Sequence, residues 1–495
     1  MLGFHFLRVR SHLRLGLAAF AVLAGSLFFP NVAAVADLKP DLAEGKKLLS
    51  EGDELADKGK STDAVIRYKR AFEQLLPGMR KLRFKHEVKR DVTAREDLKA
   101  VLVKEIDEEM TPGEFHANEI GMKALGLLPP DINLKETLVK VYSEEIAAFY
   151  DPKTKTMHLI KEPEVQKEPT FLEKLLGKKK GFDKDENKTV IAHELTHALA
   201  DQNFDIDAMQ KRVKNDDDRE LAISSLIEGE ATLTMIGSQM EDWNGSVIST
   251  IPAARLDRVF SMMIPFMPLA GGKSLREAPP ILSETMIFPY LRGMVFCARL
   301  TNDNGWNALD EAYRNPPLSS EQILHPEKYR AKPDPPTAVD LGELKPGGDW
   351  KELGRNVVGE MQLTVLLKRH GGRNAAAGWD GDRYAVFERP GGAAGLVWFS
   401  TWDSEDDAKE FAAGYSKFQT TKLGADAKAP ETSGPDALRR RNEKAAFALE
   451  RRGKDVAVVE GFDSKTTESL IEAAFNAKKT EVSQQPVENK AISRE

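Results

Sequence analysis

The chain has 495 residues, 41% of them hydrophobic and 30% charged, with a formal net charge of −7. That length exceeds one ordinary hydrophobic core, so two or three domains are expected, and the composition excludes a fibrous or wholly disordered chain. The acidic balance, without a long basic patch, argues against a nucleic-acid partner.

The first residues are of a different kind. Arg8, Arg10 and Arg14 precede an apolar run from Leu15 to Phe29, and the small-x-small triplet AVA follows at 34–36. This is the pattern of a secretory signal peptide, residues 1–36, cut after Ala36. An uncleaved anchor is the alternative, although the apolar run is short for a bilayer span. Removal of the segment takes the formal charge from −7 to −10, because it carries three arginines and no acid. An exported protein, periplasmic or secreted, is therefore expected. Cys297 is the only cysteine, so no internal disulfide forms and stability must come from core burial, metal or ligands. No later segment is expected to span a membrane; the apolar stretch 260–272 is short and carries two prolines.

Residues 37–85 read as a helical hairpin with a Gly/Ser break. Leu48, Leu49, Leu55, Ala64, Ile66, Tyr68, Ala71 and Phe72 supply the helical spacing. The unit is tetratricopeptide-like, but one unit is not a stacked array, so a helical layer on the next domain is expected. Within 86–331, residues 84–92 read as a short strand. Thr93 and Glu96 form a capping box for a helix, 126–131 turn, and 134–150 resume helical spacing. Residues 155–161 (KTMHLIK) read as a strand, and the charged 167–188 as a surface loop.

The next segment, TVIAHELTHALADQ (189–202), carries two histidines one helical turn apart. Residues i and i+4 share a helix face, so His193 and His197 can offer two imidazoles to one ion. Glu194 sits one step round, within reach of a water held by that ion but outside the ligand set. This is the spacing of zinc hydrolases, with two ligands beside a general base. The plain alternative is a solvated helix face. The small apolar neighbours Val190, Ile191, Ala192, Ala198 and Leu199 argue instead for a buried histidine face. Position 203 is Asn and the next histidine is His325, so a three-histidine site of the HExxHxxGxxH spacing is excluded.

A catalytic zinc needs a third protein ligand. The helix expected within 209–243, with its start capped by NDDD (215–218), offers EGEA at 228–231. Glu228 shares a face with Leu221 and Ser225; its competitor Glu230 lies two positions round. Further on, 279–329 read as helix, turn, helix and loop, and the proline-rich 332–350 as a linker. Residues 351–477 read as a small α+β domain, with paired strands around WDGDRYAVFER and GLVWFSTWD, a helix at 404–418 and a strand at 455–462. GWDGDRY (378–384) reads as a tight structural turn, and 478–495 as a disordered tail.

VIAHELTHALAD (190–201) resembles the active-site helix of thermolysin-like peptidases, and EGEA resembles the Glu-Gly-x-Ala segment of aminopeptidase-type gluzincins. The resemblance covers about residues 140–240. It implies His193, His197 and Glu228 as Zn2+ ligands and Glu194 as general base. It also implies an α+β fold: a mainly helical zincin-like metallopeptidase domain with a short sheet, preceded by the hairpin and followed by the small α+β domain. The thermolysin family places an Asp four residues after its third ligand to orient a zinc-bound histidine. This chain has Thr232 there, which leaves Asp201, Asp205 or Asp207 for that role. The GAMEN exopeptidase motif is absent, so an endopeptidase with a peptide or protein substrate is expected. A catalytically inactive or non-peptidase zincin that binds cell-envelope partners is the alternative, and a tetratricopeptide-type scaffold with a structural metal is a third. Strand 155–161 would be the edge along which an extended peptide aligns, with His158 structural or exposed. Tyr290 and His325 are candidates for stabilising the oxyanion.

Overall fold

The computed structural model describes residues 14–15, 40–161, 183–213, 216–263, 271–370, 373–423, 430–441 and 445–483. The expected signal peptide, apart from Arg14 and Leu15, lies outside these residues, as do most of the loop expected at 167–188 and the end of the tail.

The fold is α+β, as the sequence implies. Helices α1 (Pro40–Asp57) and α2 (Ser61–Arg80) form the expected hairpin. Its inner face, with Tyr68, Phe72, Leu75, Leu76 and Met79, joins one apolar cluster with Ile191, Leu195 and Leu199 of the histidine helix. The hairpin is thus a layer laid directly on that helix.

A small sheet follows. Strand β1 (Lys89–Ala94) leads into α3 (Arg95–Glu109), α4 (Pro112–Leu125) and α5 (Leu134–Glu145), then into β2 (Ile146–Asp151) and β3 (Thr156–Lys161). The order across the sheet is Arg14–Leu15, β2, β3, β1, with β1 parallel to β3 and β2 antiparallel to it. Two expectations change here. Thr93 does not cap a helix: it pairs with Ile160 in the sheet, and the capping box forms at Thr111 and Glu114 on α4. The helix expected over 134–150 stops at Glu145, because Ala148, Phe149 and Tyr150 pair with β3.

Helix α6 (Lys184–Phe204) carries the histidines, and α7 (Ile206–Lys211) follows it. Helix α8 (Asp217–Gln239) is buried on every side, the signature of a central helix. Helix α9 (Ala253–Met263) and the short α10 (Lys273–Glu277) lead to α11 (Pro280–Asn304), the main partner of α8. By length and composition α11 could cross a bilayer, against the expectation of no such segment, but 78% of its apolar window is buried inside the protein. Its apolar surface is spent on the core. Helix α12 (Asn307–Arg314), α13 (Ser320–Leu324) and α14 (Pro326–Tyr329) close this part.

The expected linker holds a strand, β4 (Thr337–Asp340). It pairs antiparallel with β12 (Lys478–Glu481), the start of the expected tail. The pairing holds because Val339, Leu341 and Leu344 bury against the C-terminal core. That core is built on a seven-stranded antiparallel sheet in the order β5 (Lys351–Asn356), β6 (Trp379–Arg389), β7 (Ala393–Trp402), β11 (Asp455–Glu460), β10 (Ala446–Arg452), β9 (Ala437–Arg441), β8 (Thr432–Ser433). Both faces are covered. Leu396, Trp398, Val456 and Val458 share an apolar cluster with α16 (Glu405–Leu423) and with α3 to α5, whereas Val397, Phe399, Ala457 and Val459 share one with α17 (Ser464–Phe475). The alternation is the period of two expected of strands. One apolar cluster therefore runs from the helices before the histidine helix to the C-terminal sheet, through α15 (Gly359–Leu367). GWDGDRY opens β6 rather than a tight turn. Asp382 is buried there and accepts from the Val358 and Gly359 amides and from the Trp379 and Trp398 indoles.

Candidate metal centre

Helix α6 starts at Asp183, whose carboxylate accepts from the Asp185 and Glu186 amides at 3.0 Å. Three turns later His193 and His197 face the same way, their rings edge to face at 4.6 Å. Helix α8 starts at Asp216, which accepts from the Arg219 amide. The C-terminal module also grips this end: Asn356 accepts from the Asp217 amide at 3.0 Å and donates to its carboxylate at 2.8 Å.

The separation of α8 from α11 is set by glycines. A Cβ on Gly229 would lie 2.7 Å from the Met294 amide nitrogen and closer still to the Gly293 carbonyl. A Cβ on Gly293 would lie 2.8 Å from the Ser225 carbonyl carbon. Only glycine lets the two backbones approach this far. With α8 seated there, Glu228 points at α6.

The result is a tight set of three donors. Nε2 of His193 is 3.0 Å from Nε2 of His197, and Oε2 of Glu228 lies 3.2 Å from the first and 3.5 Å from the second. Among the described residues this is the group whose ligand atoms all fall within 4.8 Å of one another. His193, His197, Glu228 and Glu194 are 6%, 1%, 5% and 3% exposed. Two imidazoles and one carboxylate are a donor set that suits Zn2+, with room in the coordination sphere for a further ligand. The residues fit such an ion.

The other candidates separate clearly. Glu230 faces elsewhere: it pairs with the buried Arg80 and accepts from the Tyr313 hydroxyl. Thr232 donates back to the Glu228 carbonyl at 2.7 Å, so it orients no histidine. None of the three aspartates considered as histidine acceptors serves as one. Asp201 accepts from the Tyr150 hydroxyl at 2.8 Å and from Lys155 at 2.7 Å, Asp205 caps α7, and Asp207 pairs with Lys211. Burial raises the Asp201 carboxyl above its ordinary range. The Nδ1 atoms of His193 and His197 are buried with no hydrogen-bond partner among the described residues.

Strand β3 is not an edge. It lies between β2 and β1, and β1 takes the outer position. On β3, His158 stacks on Phe149 at 4.5 Å, and burial lowers its pKa, so its role is structural. Tyr290 is brought to the site, its ring near parallel to that of His193 at 6.0 Å between centroids. His325 is instead held by Glu360, Nε2 to Oε1 at 3.0 Å, a bond that raises its pKa. Arg80, Tyr313, Tyr150 and Lys155 were not singled out from the sequence. They act through partners far along the chain, and no local pattern marks them.

A family model described as a domain of unknown function (DUF8575) matches residues 349–471, the C-terminal sheet module. No curated protein and no solved structure matches the chain.

Proposed function

We propose that this chain is an exported zinc-dependent peptidase of the gluzincin type, with an endopeptidase mode of action. The observation that carries the reading is the convergence of His193, His197 and Glu228, from two helices, on a space 3.0–3.5 Å across. These three residues would hold zinc, which supplies a Lewis acid for the scissile carbonyl and a lowered pKa for a water. Glu194 follows His193 directly and is buried beside it. Its carboxylate accepts a proton from the attacking water and hands it to the leaving amine nitrogen. Burial keeps bulk water from competing for that transfer. The arginines, apolar run and small-residue triplet of residues 1–36 support export.

The near-complete burial of all four side chains favours a second reading, a zincin-like protein that binds its metal and a cell-envelope partner without turnover. One experiment separates the two. Purified protein is analysed for zinc and assayed on casein and on quenched peptides, with and without chelator, beside Glu194→Gln. The proposal expects about one zinc per chain, chelator-sensitive cleavage, and a Glu194→Gln variant that keeps its zinc but loses roughly 10²–10⁴-fold in rate. A Glu194→Gln variant as active as wild type refutes the proton-transfer role. Zinc-loaded wild type inactive on every peptide supports the second reading.

A further inference from the structure

We propose that Arg80, the last residue of the N-terminal hairpin, is a positioning residue for the metal site, and that it fixes the rotation of α8 by clamping Glu230. The inference rests on the metal reading above. Arg80 is fully buried. Its Nε pairs with Glu230, its Nη2 pairs with Asp310 at 3.0 Å, and its guanidinium carbon lies 5.0 Å from the centre of the Trp306 ring. The second oxygen of Glu230 accepts from the Tyr313 hydroxyl. Both carboxylate oxygens are thus held, one from α2 and one from α12.

Glu230 lies two residues beyond Glu228, about 200° round the helix. The clamp therefore grips α8 on the side away from the imidazoles. The Gly229–Gly293 crossing sets how far α8 stands from α11, but a contact between two glycine backbones has no side chain that interlocks against a roll about the helix axis. A charge-assisted pair between planar groups is short and directional, and it opposes that roll. A roll of α8 would carry the Glu228 carboxylate away from both Nε2 atoms. The same cluster reaches the other ligand helix: the Tyr313 ring stacks on Phe204, the last residue of α6, at 4.6 Å and 7°. Arginine suits the position because one fork reaches two carboxylates, which a single ammonium does not do with the same geometry.

The test uses the full chain and Co2+ as probe, read by its visible absorption, with His193→Ala as the control for binding at the site. Arg80→Met alone strands a buried carboxylate. The working variant is therefore Arg80→Met combined with Glu230→Gln, which removes the buried lone charge, keeps an acceptor for Tyr313 and leaves without its arginine only Asp310, whose side chain is partly open to solvent. It should melt cooperatively, yet bind Co2+ about 10–100-fold more weakly and with a changed visible band. Arg80→Lys, which keeps a cation beside Glu230, should stay closer to wild type on both readouts. If the combined variant does not fold, Glu230→Gln alone takes its place with the same expectations. A folded variant with wild-type affinity and spectrum overturns the positioning role while leaving the metal site standing. Wild type that binds Co2+ no better than His193→Ala overturns the metal reading itself.

Discussion

Replacing Gly229 by alanine adds one methyl group where α8 crosses α11. Its Cβ would lie 2.7 Å from the Met294 amide nitrogen, whereas ordinary contact begins near 3.4 Å. The two helices must therefore part by about 0.7 Å or more. The obstructing atoms are backbone, so no rotamer change relieves the clash. Overpacking a filled core costs about 1–3 kcal/mol, and a backbone obstruction belongs at the upper end of that range. The same shift draws Glu228 away from His193 and His197, so on the metal reading proposed above zinc affinity should fall together with stability. Gly113→Ala is the control. It lies in α4 with nothing within 4 Å of the added Cβ, so the methyl only restricts the unfolded chain. It should stabilise by about 0.4–1 kcal/mol. Urea unfolding, read beside a zinc competition titration, compares the two. Gly229→Ala with a wild-type midpoint and wild-type zinc affinity would refute the argument that glycine contact sets the position of α8.

Further outcomes follow from buried polar groups. Burial pushes the Asp382 carboxyl from 3.8 up to about 6. The fold thus keeps a proton that the unfolded chain has released, and the stability this gives, fully present below about pH 3.8, falls by about 3 kcal/mol as pH rises to about 6. Asp382→Asn should lose that slope in urea midpoints taken between pH 4 and pH 6.5, and equal slopes would overturn the assignment. Tyr150→Phe removes a donor from the buried Asp201 and should cost about 1–3 kcal/mol. An unchanged midpoint would mean that Lys155 alone satisfies the carboxylate.

The parts of the site that were legible in the sequence are those whose signal is local. His193 and His197 stand one turn apart among small apolar neighbours, a pattern that can be read without knowing any distant partner. Glu228 could be preferred over Glu230 because it shares a face with Leu221 and Ser225. The reason Glu230 is engaged elsewhere, an arginine 150 residues away, leaves no local trace. Strand β2 was hidden for a related reason. Ile146, Phe149 and Tyr150 are spaced at i, i+3 and i+4, so they prolong the helical pattern of α5 until pairing with β3 decides otherwise. Strands β4 and β12 escape because one sits among prolines and the other is fully exposed, and each is a strand only by virtue of the other. Strand β7 is buried on both faces, so its polarity does not alternate even though its packing partners do.

The matched segment 349–471 is a sequence unit, but it does not close its own core. The sheet face that carries Trp398 and Trp402 is covered by α16 from within the segment and by α4 from outside it. Gly126, which ends α4, lies against the Phe418 ring, and Lys422 donates to the Ala124 carbonyl. The module in turn grips the start of α8 through Asn356. Helix α8 is therefore held at its N-terminus by the C-terminal module, along its length by α11, and at Glu230 by the N-terminal hairpin. Beyond the acidic first turn of α8, the two buried carboxylates Glu228 and Glu230 lie on opposite sides of the helix, and burying an uncompensated carboxylate is costly. Glu230 meets the guanidinium of Arg80. Glu228 meets two imidazole nitrogens, and on the metal reading proposed above a divalent cation shared by those three groups would balance its charge.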